Sequence, residues 1–351
     1  MRRSLLPSAV LLGSFAVAAC GDDPVQPNAA AGPTAAVPAL AVASNSWLRR
    51  ADLWSIERWD HAAATVTDAA GHSIVYVIGG RSAAGGSLTK VMAYDVSTNK
   101  WTLKAPLPVP RFSTNGAAVI DGKIFVSGGR QSSKNWAYTY PSNQSYMYDP
   151  RTDTWTRKQN MPDGGEIGFT ALIGGKLYVL SRCIEAPPME YWFDDCDPPR
   201  ANFFRYNRVK DQWTTLPSPA NTYTTGGAAG VIGGKFYVAG GTNLEVYDPA
   251  TNRWAARRPP PRFLGFSPTG TTANGKLYVF GGRGLRNQQT GVVDTLRTTS
   301  IYDPATDSWT TGRPLPTPRS NAAATRIFVN GQVGIQVVGG SRPGNNLQYF
   351  P

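Results

Sequence analysis

Short runs of alternating apolar and polar residues recur along the chain, and glycine-rich turns separate them. Lys276-Leu-Tyr-Val-Phe280 shows the alternation that is typical of a strand in a packed sheet. The clearest unit, Asp121 to Trp155, contains an Asp-Gly turn, a β-rich run, a glycine pair, a variable loop and a second strand. Asp-Gly favours a tight type I′ hairpin, and paired glycines let the chain leave a strand at positive φ. The pattern predicts an all-β fold made of repeated hairpins.

Two features of this unit recur along the chain. Five tyrosines each precede a tryptophan by seven residues, namely Tyr94 and Trp101, Tyr148 and Trp155, Tyr206 and Trp213, Tyr247 and Trp254, and Tyr302 and Trp309. The glycine pairs are Gly79-Gly80, Gly128-Gly129, Gly240-Gly241, Gly281-Gly282 and Gly339-Gly340. Ser181 and Arg182 stand where the third copy should have its pair. This agreement indicates an internal structural repeat.

A repeat of about 50 residues with this layout resembles the kelch repeat, over roughly residues 45–351. The resemblance implies a β-propeller in which each repeat forms a four-stranded blade. The predicted blades run from Asp60 to Leu107, Ser113 to Met161, Ile167 to Leu216, Thr225 to Arg257 and Phe266 to Leu315. We interpret the repeated tyrosines and tryptophans as packing between blades.

The two ends of this region each hold part of a further blade. Trp47 precedes Leu53 by six residues, as Trp101 precedes Leu107, which predicts an outer strand near the N-terminus. Three C-terminal strands are predicted, at Ala322 to Phe328, Val333 to Gly340 and Leu347 to Phe350. If the N-terminal strand completes the last blade, the ring has six blades and no open edge that would invite association. We therefore expect one monomeric domain at 45–351.

The first residues of the chain indicate export. Arg2 and Arg3 precede an apolar run that ends in Val17-Ala18-Ala19-Cys20, and this ending resembles the bacterial lipobox. The resemblance implies a signal peptide at 1–19, lipidation of Cys20 and a location in the bacterial cell envelope, periplasmic or at the cell surface. An ordinary secretory signal is the alternative. Residues 20–44, rich in alanine and proline, are predicted to be a flexible tether.

A long acidic insertion interrupts the third blade and contains the other two cysteines, Cys183 and Cys196. In an oxidising compartment we expect them to form a disulfide, with free thiols as the alternative. Neither a CxxC motif nor a Cys/His cluster is present, so a zinc site is not expected. The insertion is interpreted either as a counter-charge folded over the propeller or as a solvated loop.

The predicted blades place two sets of loop arginines around one mouth of the propeller. One set follows the glycine pairs: Arg81, Arg130, Arg182, Arg283 and Arg342. The other precedes the inner strands: Arg58, Arg111, Arg262 and Arg319. Arginine offers a planar fork that suits carboxylate, phosphate or sulfate. We interpret the set as an anion-binding mouth; the alternative is that each arginine bonds loop carbonyls of the neighbouring blade.

Net charge supports an anionic partner and limits its nature. The formal charge is +12, and loss of Arg2 and Arg3 with the signal would leave +10. Such a charge attracts anions over long range. Since the sequence has no basic helix and no nucleic-acid-binding motif, a nucleic acid is not the expected partner. The expected partners are a protein or an anionic glycan, together with the membrane that holds the anchor.

Two enzyme families resemble this chain in fold. Galactose oxidase needs two copper-binding histidines on its kelch propeller, but His61 and His72 share one blade here, so no metal or cofactor is expected. The kelch-type sialic acid epimerase implies a glutamate and an arginine near the mouth; Glu166 with Arg182 or Arg111 is the nearest equivalent. His61 is a further acid/base candidate. We predict a membrane-anchored binding module; the alternative is an enzyme acting on acidic sugars.

Overall fold

The computed structural model describes residues 43–53, 58–82, 86–113, 117–132, 139–183, 200–223, 226–341 and 346–351, and all secondary structure in these ranges other than turns is β. The strands are β1 (Ser46–Arg49), β2 (Arg58–Trp59), β3 (Ala62–Thr67), β4 (Ser73–Ile78), β5 (Arg81–Ser82), β6 (Val91–Asp95), β7 (Lys100–Lys104), β8 (Ala117–Ile120), β9 (Lys123–Ser127), β10 (Arg130–Ser132), β11 (Thr139–Pro141), β12 (Ser145–Asp149), β13 (Thr154–Lys158), β14 (Glu166–Ile173), β15 (Lys176–Cys183), β16 (Arg200–Asn207), β17 (Gln212–Leu216), β18 (Ala228–Ile232), β19 (Lys235–Gly240), β20 (Asn243–Asp248), β21 (Arg253–Ala256), β22 (Thr269–Ala273), β23 (Lys276–Phe280), β24 (Arg283–Arg286), β25 (Val293–Thr295), β26 (Thr299–Asp303), β27 (Ser308–Thr311), β28 (Ala323–Val329), β29 (Gln332–Val338) and β30 (Asn346–Phe350).

These strands form six four-stranded antiparallel blades, which confirms the predicted six-bladed propeller. Blades 1 to 5 have the orders β3-β4-β6-β7, β8-β9-β12-β13, β14-β15-β16-β17, β18-β19-β20-β21 and β22-β23-β26-β27. The sixth blade has the order β28-β29-β30-β1. Three short two-stranded ribbons, β2-β5, β10-β11 and β24-β25, lie outside the blades. Residues 1–42, with the predicted signal peptide, Cys20 and most of the tether, lie outside the described residues.

In blades 2 to 6 the turn between the first two strands has the predicted hairpin geometry. Asp121 and Gly122 both adopt positive φ, at 49° and 72°, as a type I′ turn requires. At the other end of the second strand, Gly281 has a φ of 65°, and a Cβ there would lie 2.1 Å from the carbonyl oxygen of Arg319. A glycine is therefore required because the next blade's entry loop passes directly against the backbone.

The third blade lacks the glycine pair. Its second strand therefore continues past the position at which the second strands of the other blades end. Ser181 and Arg182 both lie within β15, which continues in register with β16 as far as the pairing of Cys183 with Arg200. The acidic insertion thus begins from an extended hairpin. Residues 184–199, which include Cys196, lie outside the described residues.

The N-terminal strand closes the ring, as the sequence predicted. β1 pairs antiparallel with β30, and its register aligns Trp47 with Tyr349 and Ser46 with Phe350. This is the alignment that the other blades have between their third and fourth strands, where Tyr94 pairs with Trp101. The two ends of the chain therefore supply the sixth copy of the tyrosine–tryptophan pair.

The hydrophobic core is divided into six clusters, one between each pair of neighbouring blades. The cluster between blades 6 and 1, for example, joins Leu53 and Val338 to Val77 and Tyr94. Each blade buries its two faces only against its neighbours. Closure by β1 is therefore important, because an open ring would expose the cluster at the break.

A repeated set of contacts, which we call the latch, fixes each blade against the preceding one. In all six blades the tyrosine and tryptophan rings lie 4.8–5.3 Å apart. The tyrosine hydroxyl donates to an Asn or Asp side chain at 2.5–2.8 Å. The tryptophan Nε1–H donates to a backbone carbonyl at the preceding blade, at 2.8–3.0 Å. The predicted packing role of these aromatic residues is confirmed.

The Asn or Asp of the latch also reaches the preceding blade. Asp153, for example, accepts the Tyr148 hydroxyl and the backbone N–H of Ala105, whose carbonyl accepts from Trp155. Five latches have this second bond, made by Asn45, Asn99, Asp153, Asp211 and Asp307. The latch of Asn252 differs because the residue at its carbonyl is Pro217, which has no N–H to donate.

The interface between blades 6 and 1 differs from the other five. In blades 1 to 5 an aromatic residue on the second strand packs on the latch tyrosine of the next blade, at 4.8–6.0 Å between ring centroids. Gln336 takes this position in blade 6. Its buried amide accepts from Gln348 at 2.9 Å and donates to Asn346, and Gln348 accepts from Arg50 at 2.7 Å. This polar network connects β29, β30 and the segment after β1, so it couples the closing strand to its blade.

The latch predicts a difference between two matched substitutions. Asp153→Ala removes two hydrogen bonds to a carboxylate, so we expect a loss of about 2–3 kcal/mol in the free energy of unfolding. Asn252→Ala removes one bond between uncharged groups, for an expected loss of about 1 kcal/mol. Both positions have a similar positive φ, 53° and 55°, so the backbone effect of alanine is matched. Urea denaturation of the two variants measures the difference, and equal losses would contradict the account.

The same pair of variants should differ in pH dependence. The Tyr148 hydroxyl holds the pKa of the Asp153 carboxyl below its usual value. A folded-state pKa below the unfolded one means that stability is present above the unfolded pKa and is lost as the pH falls through the folded pKa. The cost of Asp153→Ala should therefore shrink below about pH 4. The cost of Asn252→Ala should remain constant over that range, and parallel pH profiles would argue against the latch.

Candidate functional site

A cavity of about 480 Å³ occupies the axis of the propeller and is lined by β3, β8, β14, β18, β22, β28 and the residues beside them. Its wall consists largely of alanine, glycine, threonine and valine. The Thr65 and Thr325 hydroxyls are 2.9 Å apart in this wall. The wall offers few functional groups. The chemistry of the channel is concentrated at the end where the glycine pairs lie, which we call the mouth.

The rim of the mouth is built from Asp60, Ser113, Ser267 and Asn321, which all have φ of 50–57°. Asp60 N–H donates to the carbonyl of Asn321 at 3.0 Å, and Ser113 N–H donates to that of Asp60 at 2.8 Å. Asn321 N–H donates to Ser267 at 2.9 Å. These bonds join neighbouring blades around the opening. The sequence analysis did not predict this rim; its signal is an Asp, Ser or Asn two residues after Arg58, Arg111 and Arg319.

Five of the predicted binding arginines are buried, and three of them, Arg58, Arg111 and Arg319, lie behind this rim. Arg111 Nη1 donates to the carbonyls of Gly128 and Gln144 at 2.8 and 3.1 Å. Arg58 bonds Val77 and Lys90 in the same way, and Arg319 bonds Gly339. Burial lowers the pKa of each arginine to about 10, so all three remain charged at neutral pH. They hold loop carbonyls in place and do not face a ligand.

Arg262 follows a proline, as Arg111 does, but it is exposed. Strand pairing explains the difference: Phe112 pairs with Arg130, and Phe266 pairs with Arg283. The residue that precedes Phe266, Gly265, therefore occupies the position of Arg111 in the fifth blade. The shift of three residues leaves Arg262 on the surface. Its guanidinium therefore does not take the buried position that Arg111 has in the second blade.

In the fourth blade Tyr223 replaces the buried arginine. Its hydroxyl donates to Glu245 Oε2 at 2.8 Å and lies 3.3 Å from the carbonyl oxygen of Val238. Glu245 is itself buried and also accepts from Asn221 Nδ2 at 2.8 Å. Burial, together with the charge of Glu245, raises the pKa of the Tyr223 hydroxyl well above its usual value. The sequence analysis missed this pair because no arginine marks it.

Glu166 lies between two arginines at the mouth. Its Oε1 accepts from Arg130 Nη1 at 2.5 Å, and its Oε2 lies 3.7 Å from Arg182 Nη2. Arg182 Nη1 also donates to the carbonyl of Tyr223 at 2.8 Å. Burial lowers the pKa of Arg182 to about 10, and the charge of Glu166 opposes that shift. The structure thus brings Glu166 to Arg182, and to Arg130 rather than to Arg111.

Arg81 forms the other ion pair of the rim. Its Nε donates to Asp60 Oδ2 at 3.0 Å, its Nη2 also contacts that oxygen, and its guanidinium lies 4.6 Å from the centre of the Phe112 ring. Asn321 Nδ2 donates to the second oxygen of Asp60 at 2.6 Å. About a third of the Arg81 side chain, 32%, is exposed. One face of this guanidinium therefore remains accessible at the rim.

The remaining predicted residues are placed as follows. Arg283 is exposed at the start of β24, and Arg342 lies outside the described residues. His61 is fully buried between blades, and a Cβ on Gly339 would lie 2.5 Å from its ring. Burial, together with the charges of Arg58 and Arg319, lowers the pKa of His61 to about 3. His61 is therefore neutral at physiological pH and out of reach of a ligand at the mouth.

Among the described residues no group of three or more His, Cys, Asp or Glu side chains is arranged to hold a metal ion. The described ranges also contain no helix that is long and apolar enough to cross a membrane.

The fold and this mouth define a class, a closed six-bladed β-propeller with an arginine-rich opening. Family models agree with that class: the attractin/LZTR1 β-propeller model matches residues 34–248, and the kelch motif model matches residues 266–316. The chain belongs to the kelch-repeat β-propeller family.

Individual relatives show the same fold in different settings. Kelch-like protein terF of Aspergillus terreus is 30% identical over 277 residues, which cover 74% of this chain and 57% of the relative. Kelch-like protein 25 of Xenopus tropicalis is 26% identical, covering 56% of this chain and 34% of the relative. The chain thus spans between a third and somewhat over half of these curated relatives. The solved structure titled "Structure of YjhT" has a TM-score of 0.62 at 17% identity and covers 84% of this chain and 93% of that one, which shows the shared fold.

Arg111 and Arg262 both follow a proline, but the first is buried and the second exposed, so they should contribute differently to stability. Arg111→Ala leaves two buried carbonyls without their donor and a void beside Tyr146, so we expect it to destabilise the fold by about 2–4 kcal/mol. Arg262→Ala should change stability by less than about 0.5 kcal/mol, because the side chain is exposed. Chemical denaturation measures both. Equal costs for the two variants would refute the assignment of Arg111 to the wall and Arg262 to the surface.

Proposed function

We propose that this protein is a membrane-anchored extracytoplasmic binding module whose mouth face binds an anionic partner, a protein segment or an acidic carbohydrate. One observation carries the proposal: guanidinium groups outnumber carboxylates on this face. Arg81, Arg130 and Arg182 share the two carboxylates of Asp60 and Glu166. Arg262 and Arg283 add exposed charge on the same face. An excess of preplaced forks attracts and orients anions.

Family membership supports the binding role. Kelch propellers are generally protein-interaction modules. The position of Glu166 also favours binding over the sugar-modifying alternative, since both of its oxygens face guanidinium groups. A carboxylate held in this way fixes two arginines at the rim. A general base would need an oxygen that is directed at a substrate.

The anchor and the compartment are part of the same proposal. Lipidation of Cys20 would hold the propeller at the bacterial cell envelope through the tether of residues 20–44. An acylated N-terminus with a flexible tether leaves the mouth free to meet partners at a short distance from the membrane. The expected disulfide between Cys183 and Cys196 belongs to the same oxidising setting.

Substitution of exposed arginines tests the binding role. The double variant Arg81→Ala/Arg283→Ala should weaken binding to polyglutamate and to a polyuronate by about three- to tenfold, because each exposed ion pair contributes up to about 1 kcal/mol. Binding of the full chain should weaken further as salt is raised. Biolayer interferometry at two salt concentrations measures both effects.

Arg151→Ala is the matched control, because Arg151 is 84% exposed but lies at the β12–β13 turn, at the opposite end of the blade. This variant should bind as the unsubstituted protein does. An equal loss in the control and the double variant would mean that net charge, and not the mouth face, governs binding. Wild-type protein that binds neither polymer would refute the proposed function.

A single substitution tests the anchor. Cys20→Ser removes the thiol that would carry the lipid, so the variant should lose incorporation of labelled fatty acid and appear in the soluble fraction after cell lysis. Metabolic labelling followed by fractionation measures both. Continued lipid labelling of the variant would show that the anchor is not at Cys20.

A further inference from the structure

The hairpin formed by β24 and β25 concentrates apolar side chains on the surface. Leu285, Val292 and Val293 are 68%, 54% and 41% exposed. The other strongly exposed large hydrophobic residues of the described ranges stand on separate elements: Leu103, Tyr140, Leu172, Val209 and Phe328. Scattered apolar residues are normal on a surface, but a cluster of this kind marks a contact site.

This hairpin is well fixed to the mouth face of the fifth blade. Phe266 and Arg283 exchange backbone hydrogen bonds of 2.7 and 2.8 Å, and Leu296 N–H donates to the carbonyl of Gly282 at 2.7 Å. These bonds lie directly after the glycine pair, where the loops of the mouth begin. The hairpin therefore rises beside the opening and belongs to the face that the proposed function assigns to binding.

Internal hydrogen bonds also hold the tip of the hairpin. Asn287 and Gly291 close the turn, with bonds of 2.8 Å from Asn287 N–H to Val292 and from Gly291 N–H to Asn287. The side chain of Asn287 accepts from two further backbone N–H groups, and Arg286 Nε donates to Gly291 at 3.1 Å. Because the scaffold is already formed, a partner would not have to order it on binding.

Exposed arginines occur on this hairpin and in the loop before β22. Arg262, Arg283 and Arg286 are exposed, and none of the ion pairs between described residues involves them. The arginines of the rim differ, because each of those already has a carboxylate. Asp294 is the one acidic residue between positions 283 and 295. We call Arg262, Arg283, Leu285, Arg286, Val292 and Val293 the blade-5 patch.

We propose that the blade-5 patch is the docking surface for an acidic protein segment that carries aliphatic side chains. This inference rests on the proposed binding function and names the class of partner. Exposed arginines that form no ion pair attract carboxylates. The exposed leucine and valine side chains gain free energy when aliphatic groups of a partner cover them. A polypeptide carries such groups, whereas a carbohydrate or a simple polyanion does not. The combination therefore selects a protein segment over a glycan.

Backbone geometry indicates how such a segment would bind. β24 and β25 form a two-stranded sheet, so β25 is an edge strand. An extended segment that adds to this edge would gain main-chain hydrogen bonds, and its alternate side chains would face the same side. A segment that alternates aliphatic and acidic residues would then place its aliphatic side chains beside Val292 and its acidic side chains on the other face, which Val293 shares with its cross-strand partner Arg286.

The test compares two synthetic peptides of equal length by fluorescence anisotropy with the full chain. One peptide alternates valine with glutamate, and the other is polyglutamate. The alternating peptide should bind more tightly. The variant Leu285→Ser/Val292→Ser should lose about tenfold of the affinity for the alternating peptide, since two buried aliphatic contacts are removed. Its affinity for polyglutamate should not change.

Val209→Ser is the matched control, because Val209 is 87% exposed and lies in the turn between β16 and β17, away from the mouth. This variant should bind both peptides as the unsubstituted chain does. An alternating peptide with methylated backbone amides should bind at least about tenfold more weakly, since it cannot add to the edge of β25. Thermal melting of each variant verifies that the fold is retained.

The outcomes separate this inference from the proposed function. If polyglutamate binds in a salt-sensitive way but Leu285→Ser/Val292→Ser binds the alternating peptide unchanged, the blade-5 patch is not the docking surface and the anion-binding mouth stands. If the methylated peptide binds as well as the unmethylated one, addition to β25 is refuted. If neither peptide binds the unsubstituted chain, both the inference and the proposed function fail.

Discussion

The pairing of Trp47 with Tyr349 is the contact on which the rest of the structure depends. Five latches form between residues that are close in sequence, whereas this one joins the two ends of the domain through β1 and β30. All six hydrophobic clusters lie between blades, so an open ring would leave the cluster at the break exposed. The Gln336 network strengthens the seam beside this closure, where an aromatic contact would otherwise stand. The mouth depends on ring closure as well, because its rim residues come from several blades.

Much of the fold could be predicted from the sequence because its determinants are local. A tyrosine and a tryptophan seven residues apart are cross-strand partners in one hairpin, and a glycine pair marks the end of a strand. The site was harder to predict because its determinants are pairings between loops. Arg262 and Arg111 both follow proline, but only the pairing of Phe266 with Arg283 shows that Gly265 takes the buried position. In the fourth blade Tyr223 and Glu245 replace the buried arginine. Neither side chain resembles arginine, so the sequence pattern does not reveal the replacement.

The arginines therefore have two functions: some support the wall of the propeller, and others are exposed and can contact a partner. Arg58, Arg111 and Arg319 are charged donors in the wall, and their guanidinium groups bond backbone carbonyls around the axis. Arg262, Arg283 and Arg286 are exposed around apolar side chains on the fifth blade. Arg130 and Arg182 are also buried, and both face Glu166, whereas Arg81, which pairs with Asp60, is 32% exposed and lies between the two groups. The number of arginines in the sequence overstates the size of the binding surface. The burial of each side chain shows which of the arginines can contact a partner.

Arginine-selective labelling with phenylglyoxal, read residue by residue by mass spectrometry, tests this division most directly. The folded chain should be modified rapidly at Arg262, Arg283 and Arg286, and slowly at Arg58, Arg111 and Arg319. An excess of the alternating valine–glutamate peptide should protect the first group and leave Arg151 on the opposite end reactive. Rapid labelling of Arg111 in the folded protein, or a peptide that protects none of the exposed arginines, would contradict the account.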